Sequence, residues 1–180
     1  MRSRSFFLGI LLIRILILIF VFVSSVLILV GPGLCYQDTF FGYNYDCVNF
    51  TVDAWRWVNN FVYFQVPIML LPLCMAIVSL VVIASTRCCD CHLSRMGHLI
   101  IAGTGIVVYL LAAISETVMY FNIPDDYDYY DTLNWFNTST SNYVRGYLAS
   151  AVFFFLSAIL GMVDTALVGA RKVYFEEPWH

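Results

Sequence analysis

Residues 146–170 read GYLASAVFFFLSAILGMVDTALVGA, an apolar run interrupted by one ionisable side chain, Asp164. A helix needs about 20 predominantly apolar residues to cross a hydrocarbon core about 30 Å thick, so this stretch is long enough to span a bilayer. Three runs of the same kind lie upstream, at about 6–30, 61–84 and 97–121. The expected fold is an all-α membrane protein, a bundle of four transmembrane helices. One membrane domain would cover 6–172, and 173–180 would be a short tail. The first run follows Arg2 and Arg4, as a secretory signal would, but its apolar core is longer than the roughly 7–15 residues of such signals. Gly31-Pro32-Gly33 ends it as a helix stop, so it is expected to stay as a membrane anchor.

Composition points the same way. The chain is 61% hydrophobic and 12% charged, a mix that no water-facing globular surface carries. Four spans use up about half of its 180 residues and leave no length for a separate catalytic or ligand-binding domain. The net charge of −3 decides little, because placement matters more than the sum.

Arg2, Arg4, Arg87, Arg95, Arg171 and Lys172 fall on one side of the spans, and only Arg56 and Arg145 fall on the other. The positive-inside rule then puts both termini and the 85–96 connection in the cytosol. Asp38, Asp46, Asp53, Asp125, Asp126, Asp128 and Asp131 are left on the exoplasmic side.

The first outer connection, 31–60, carries Cys35 and Cys47 with eleven residues between them, and the sequon Asn49-Phe50-Thr51. In an oxidising compartment the two cysteines are expected to form a disulfide, the alternative being two unpaired thiols. Asn49 is a candidate glycan site, as is Asn137 in the sequon Asn137-Thr138-Ser139 of the second outer connection. Trp55, Trp57, Tyr63, Tyr120, Phe121, Tyr143 and Tyr147 flank the spans as an aromatic belt does. The run from Pro124 to Asp131 alternates carboxylates and phenols without the spacing of a calcium loop, so it reads as a solvated acidic face.

On the cytosolic side, Cys88, Cys89, Cys91 and His92 are too compressed to wrap a tetrahedral zinc site comfortably. Thiols beside basic residues just after a span suit S-palmitoylation; unmodified cytosolic thiols are the plainer alternative.

Three ionisable side chains lie inside the spans, where a charge is expensive unless paired or solvated. Arg14 and Asp164 lie about 12 Å and 9 Å from the cytosolic ends of their spans, at 1.5 Å per residue. Glu116 sits near the other face and cannot share that layer. Helical phase puts Asp164 on a small-residue face with Ser157, Gly161 and Thr165, puts Arg14 with Val21 and Ser25, and puts Glu116 with Gly105 and Ala112. These faces are expected to form the inner seam, closed by an Arg14–Asp164 ion pair. Snorkelling of Arg14 to the headgroups is the alternative.

Four spans, cytosolic termini, an arginine in the first span and the fourth span Ala151 to Ala166 make the chain resemble MARVEL-domain proteins. That span and the third, Val107 to Ser115, are most similar to the myelin-and-lymphocyte and chemokine-like-factor branches. The resemblance implies a non-enzymatic tetraspan protein of membrane apposition, vesicle trafficking or cell junctions, often in cholesterol-rich membrane. Cys35 and Cys47, two sequons and the acidic second connection make its loops richer than in those branches. The cysteine patterns of claudins, tetraspanins and connexins are not met.

The residues hold no nucleophile elbow, phosphate loop or dispersed ligand set, so no enzyme activity, cofactor or metal is expected. The basic residues are too few and scattered for nucleic acid. The reading is a membrane scaffold or adaptor in the plasma membrane or endomembrane vesicles, with lipids, other membrane proteins or further copies of the chain as partners. A small channel or transporter subunit and a junctional adhesion protein are the alternatives.

Overall fold

The structure, a computed structural model, describes residues 2–38, 44–49, 63–88, 95–122, 139–144 and 146–170, with side chains for 7–31, 63–85, 96–122 and 146–170. Four long helices run through it: α1 Arg2–Leu29, α2 Gln65–Cys88, α3 Arg95–Asn122 and α4 Tyr147–Ala170. Within them Phe7–Leu29, Gln65–Ser85, Met96–Asn122 and Tyr147–Ala170 are long and apolar enough to cross a membrane. The second span begins at Gln65 rather than near residue 61, after a single 3₁₀ turn at Tyr63 and Phe64.

Two prolines of α2 behave differently. Pro67 lies in the first turn, where a backbone N–H has no intrahelical acceptor in any case, so its ring removes nothing. Pro72 lies inside the helix and deletes one rung of its hydrogen-bond ladder.

The helices form a ring in which α1 packs on α2, α2 on α3, α3 on α4, and α4 closes against α1. The α1–α4 seam is antiparallel and can be followed rung by rung. Arg14 meets Asp164, the Phe20 and Phe153 rings pack tilted with centroids 5.6 Å apart, and Ser24 Oγ donates to the Ser150 carbonyl at 3.2 Å. At the far end Gly146 caps α4, its carbonyl accepting from Ser150 N at 2.7 Å with φ at 101°. A Cβ there would lie 2.8 Å from the Leu27 carbonyl oxygen, so only glycine allows both this backbone and this approach.

Small residues make the interior tight. Ala76, Ala112, Ala113 and Ala158 pack with Ile17, Val21, Ile28, Tyr109, Tyr147 and Phe154, while Ile10, Ile83 and Val168 form a second cluster near the two chain ends. The faces expected on the seam are inside: Arg14, Val21 and Ser25; Gly105, Ala112 and Glu116; Ser157, Gly161 and Asp164, with Thr165 half-buried. Large apolar side chains such as Phe22, Leu71, Ile100 and Leu111 cover the outside. A helix bundle that is apolar both within and without has a hydrocarbon solvent.

The connections add what the helical expectation did not include, a three-stranded antiparallel sheet of β1 Pro32–Asp38, β2 Asn44–Asn49 and β3 Ser139–Val144 in the order β2-β1-β3. Because β1 pairs with strands from both the 31–64 and the 123–146 connections, both lie at the same end of the bundle. Arg2 of α1 and Ala170 of α4 lie at the other.

Candidate functional site

The polar side chains buried among the helices gather in two layers. The first lies toward the chain ends. Arg14 Nε donates to Asp164 Oδ2 at 3.0 Å, with the two residues 1% and 2% exposed. Arg14 Nη1 donates to the Ser79 carbonyl of α2 at 2.7 Å. From α3, His98 and Tyr109 are the titratable side chains that face the pair. All four helices therefore supply this layer. The pair is single-stranded rather than a fork: Arg14 Nη2 and Asp164 Oδ1 make no hydrogen bond.

Lining up a cation and an anion at one depth leaves the layer neutral, which is what a low-dielectric interior tolerates. The close packing that positions Asp164 comes from Gly161, one turn earlier, where an added Cβ would stand 3.0 Å from Ile106 Cγ1 of α3. Ser157 and Thr165, on the same face, turn their hydroxyls back to the Phe153 and Gly161 carbonyls at 2.9 Å. They contribute small volume and bond within their own helix, not across to a neighbour.

The second layer lies toward the sheet. Glu116 of α3, Gln65 of α2 and Tyr147 of α4 are each 0% exposed, and Gln65 and Tyr147 are the polar groups beside the Glu116 carboxyl. Gln65 is the hydrogen-bonding neighbour of the Glu116 carboxyl, yet no contact of either Glu116 oxygen, either Gln65 amide atom or the Tyr147 hydroxyl reaches full hydrogen-bond geometry. Ser24 and Ser25 of α1 and Ser150 of α4 add buried hydroxyls to this half. No basic side chain among the described residues lies here. Tyr147, which the residue pattern assigns to the headgroup belt, is a buried member of this layer; Tyr63, Tyr120 and Phe121 are exposed as belt rings should be.

Gln65, His98, Ser24 and Ser150 are buried polar side chains that helical periodicity does not single out. Gln65 and His98 sit near span ends, where a polar residue draws no attention. Serines in an apolar run are common, and their helical phase was the only available signal.

The remaining candidates lie in the connections. Cys35 and Cys47 are direct Cα partners in the β1–β2 register. Antiparallel partners stand about 4.5–5.5 Å apart at Cα, inside the range a disulfide spans. Asn49 ends β2. Cys88 is the last residue of α2, while Cys89, Cys91, Asn137, the 124–131 acidic run and the tail lie outside the described residues. Cys74, which no motif singled out, is an exposed free thiol on the outer face of α2. No family model, no curated protein and no solved structure matches the chain.

Proposed function

We propose that the chain is a non-enzymatic tetraspan scaffold or adaptor of the MARVEL type, with its termini in the cytosol and its sheet on the exoplasmic side. One observation carries the reading: the bundle fills its interior with its own side chains and closes it with the Arg14–Asp164 pair, while every helix presents an apolar face outward. Such a molecule has two surfaces to work with, the lipid-facing belt and the outer sheet. It acts by lateral association with membrane proteins, with lipids such as those of cholesterol-rich membrane, or with further copies of itself, in vesicle trafficking or junction assembly. The arginine placement supports the orientation. A Cys35–Cys47 disulfide, glycans on Asn49 and Asn137, and acyl chains on Cys88, Cys89 and Cys91 belong to the same proposal.

Terminal tags on cells, read with and without permeabilisation, together with proximity labelling of the full chain, test this reading. Tags reached only after permeabilisation and a labelled set rich in membrane-traffic or junction proteins are expected. A C-terminal tag detected on intact cells would overturn the orientation.

The second reading, a small channel or transporter subunit, draws on the unpartnered sheet-side layer, since intramembrane ionisable groups mark ion paths. Cation flux in proteoliposomes above that of protein-free vesicles would favour it over the scaffold.

A further inference from the structure

We propose that Glu116, Gln65 and Tyr147 form a binding site for a small monovalent cation of the sodium class inside the sheet-side half of the bundle. A carboxylate withdrawn from water costs several kcal/mol unless a positive charge or several hydrogen bonds offset it, and Glu116 has neither among the described residues. The described arginine inside the spans, Arg14, is engaged by Asp164 and Ser79. It also lies about 15 Å along α1 from Ser24, at 1.5 Å per residue.

The donor set then narrows the ligand. Gln65 approaches the Glu116 carboxyl as a hydrogen-bonding neighbour, but no contact of either Glu116 oxygen, the Gln65 carbonyl oxygen or the Tyr147 hydroxyl oxygen has full hydrogen-bond geometry, and carboxylate, carbonyl and hydroxyl oxygens suit hard cations rather than soft metals. One carboxylate balances one positive charge, whereas a divalent ion would leave a net charge in a low-dielectric interior. All three side chains are fully buried, so neither an organic ammonium of any bulk nor a basic residue on a neighbouring membrane helix reaches them. Gln65 and Tyr147 are the first residues of their helices, which puts the entry on the sheet side. Sodium is chosen over potassium because that side is exoplasmic in the proposed orientation. The scaffold reading does not depend on the site.

The test uses the full chain purified in detergent or nanodiscs. Radioactive sodium binding and thermal unfolding are measured in sodium, potassium and N-methylglucamine chloride at equal ionic strength. Saturable binding near one ion per chain is expected, with a melting point raised by sodium above the N-methylglucamine value. Glu116→Gln keeps the shape and removes the charge, and should weaken binding at least about tenfold, given that even indirect ligand partners are worth about 10–100-fold at metal sites. Tyr147→Phe, which removes one oxygen and keeps the packed ring, should weaken it several-fold and carries the comparison if the Glu116 variant does not fold. Absence of saturable sodium binding to the unmodified chain would overturn the site and point to a neutral carboxylic acid. So would binding that survives both substitutions unchanged.

Discussion

The two polar layers of the bundle solve the same problem in different ways. Near the chain ends, the charge on Arg14 is answered by Asp164 at 3.0 Å and by the Ser79 carbonyl at 2.7 Å. Near the sheet, Glu116 is equally buried and is surrounded by neutral groups alone among the described residues. One layer is closed by covalently supplied partners, so its occupancy is fixed at synthesis. The other has no counter-charge among the described residues, so under the proposed sodium site its energetic state depends on what the medium supplies. A single fold thus holds a structural lock at one depth and a responsive centre at another.

The sharpest way to break this comparison is to strand one member of the lock. Arg14→Leu or Asp164→Leu alone leaves a buried charge uncompensated and should cost about 3–5 kcal/mol, seen as lost folding yield and delivery to the surface. The double variant strands nothing and should recover much of the loss. Equal or additive damage in the double variant would mean that the two charges are not coupled.

Backbone constraints rank next. Gly146→Ala forces a side chain onto a φ of 101° and against the Leu27 carbonyl oxygen at 2.8 Å. Strain of about 1–3 kcal/mol is expected, read as a lower melting temperature. Loss concentrated at the sheet end in hydrogen exchange would tie it to the second layer.

Gly161→Ala probes the other end more gently. The added methyl meets Ile106 Cγ1 at 3.0 Å, and that flexible side chain can give way, so a loss near 1 kcal/mol is expected. Gly103→Ala is the matched control, because nothing stands within 4 Å of its Cβ, and it should change stability by no more than about 0.5 kcal/mol. If the two alanines behave alike, close approach at Gly161 does not position Asp164. The smallest effect belongs to Ser24→Ala, which removes the cross-helix bond to the Ser150 carbonyl. Hydrogen bonds between membrane helices are worth about 0.6 kcal/mol on average, so its shift in thermal unfolding should be just measurable.

Much of the closed layer was legible in the residues because opposite charges at matched depth, on faces of small side chains, constrain each other. Arg14 and Asp164 announce themselves in runs where almost nothing else is polar. The second layer was legible only through Glu116. Gln65 and Tyr147 open their helices, and residues at span boundaries are polar or aromatic so often that their inward orientation leaves no trace in the pattern. The sheet was less legible still. Its three strands are short, carry polar residues, and belong to two connections far apart in the chain, so no local periodicity signals that β1 pairs with both.

That sheet orders the events of biogenesis. In the proposed orientation β1 and β2, separated by five residues in the chain, can pair as soon as the first outer connection has been translocated, with Cys35 opposite Cys47 from that moment. β3 is translated only after α3, and Pro32 finds Val144 once the second helical hairpin has crossed in the matching direction. The central strand therefore stays half-paired through most of synthesis, with one row of backbone groups exposed to whatever quality-control machinery patrols that compartment. Completion of the third strand covers that row, so a chain that inserts its last two helices the wrong way round keeps a visible mark of the error.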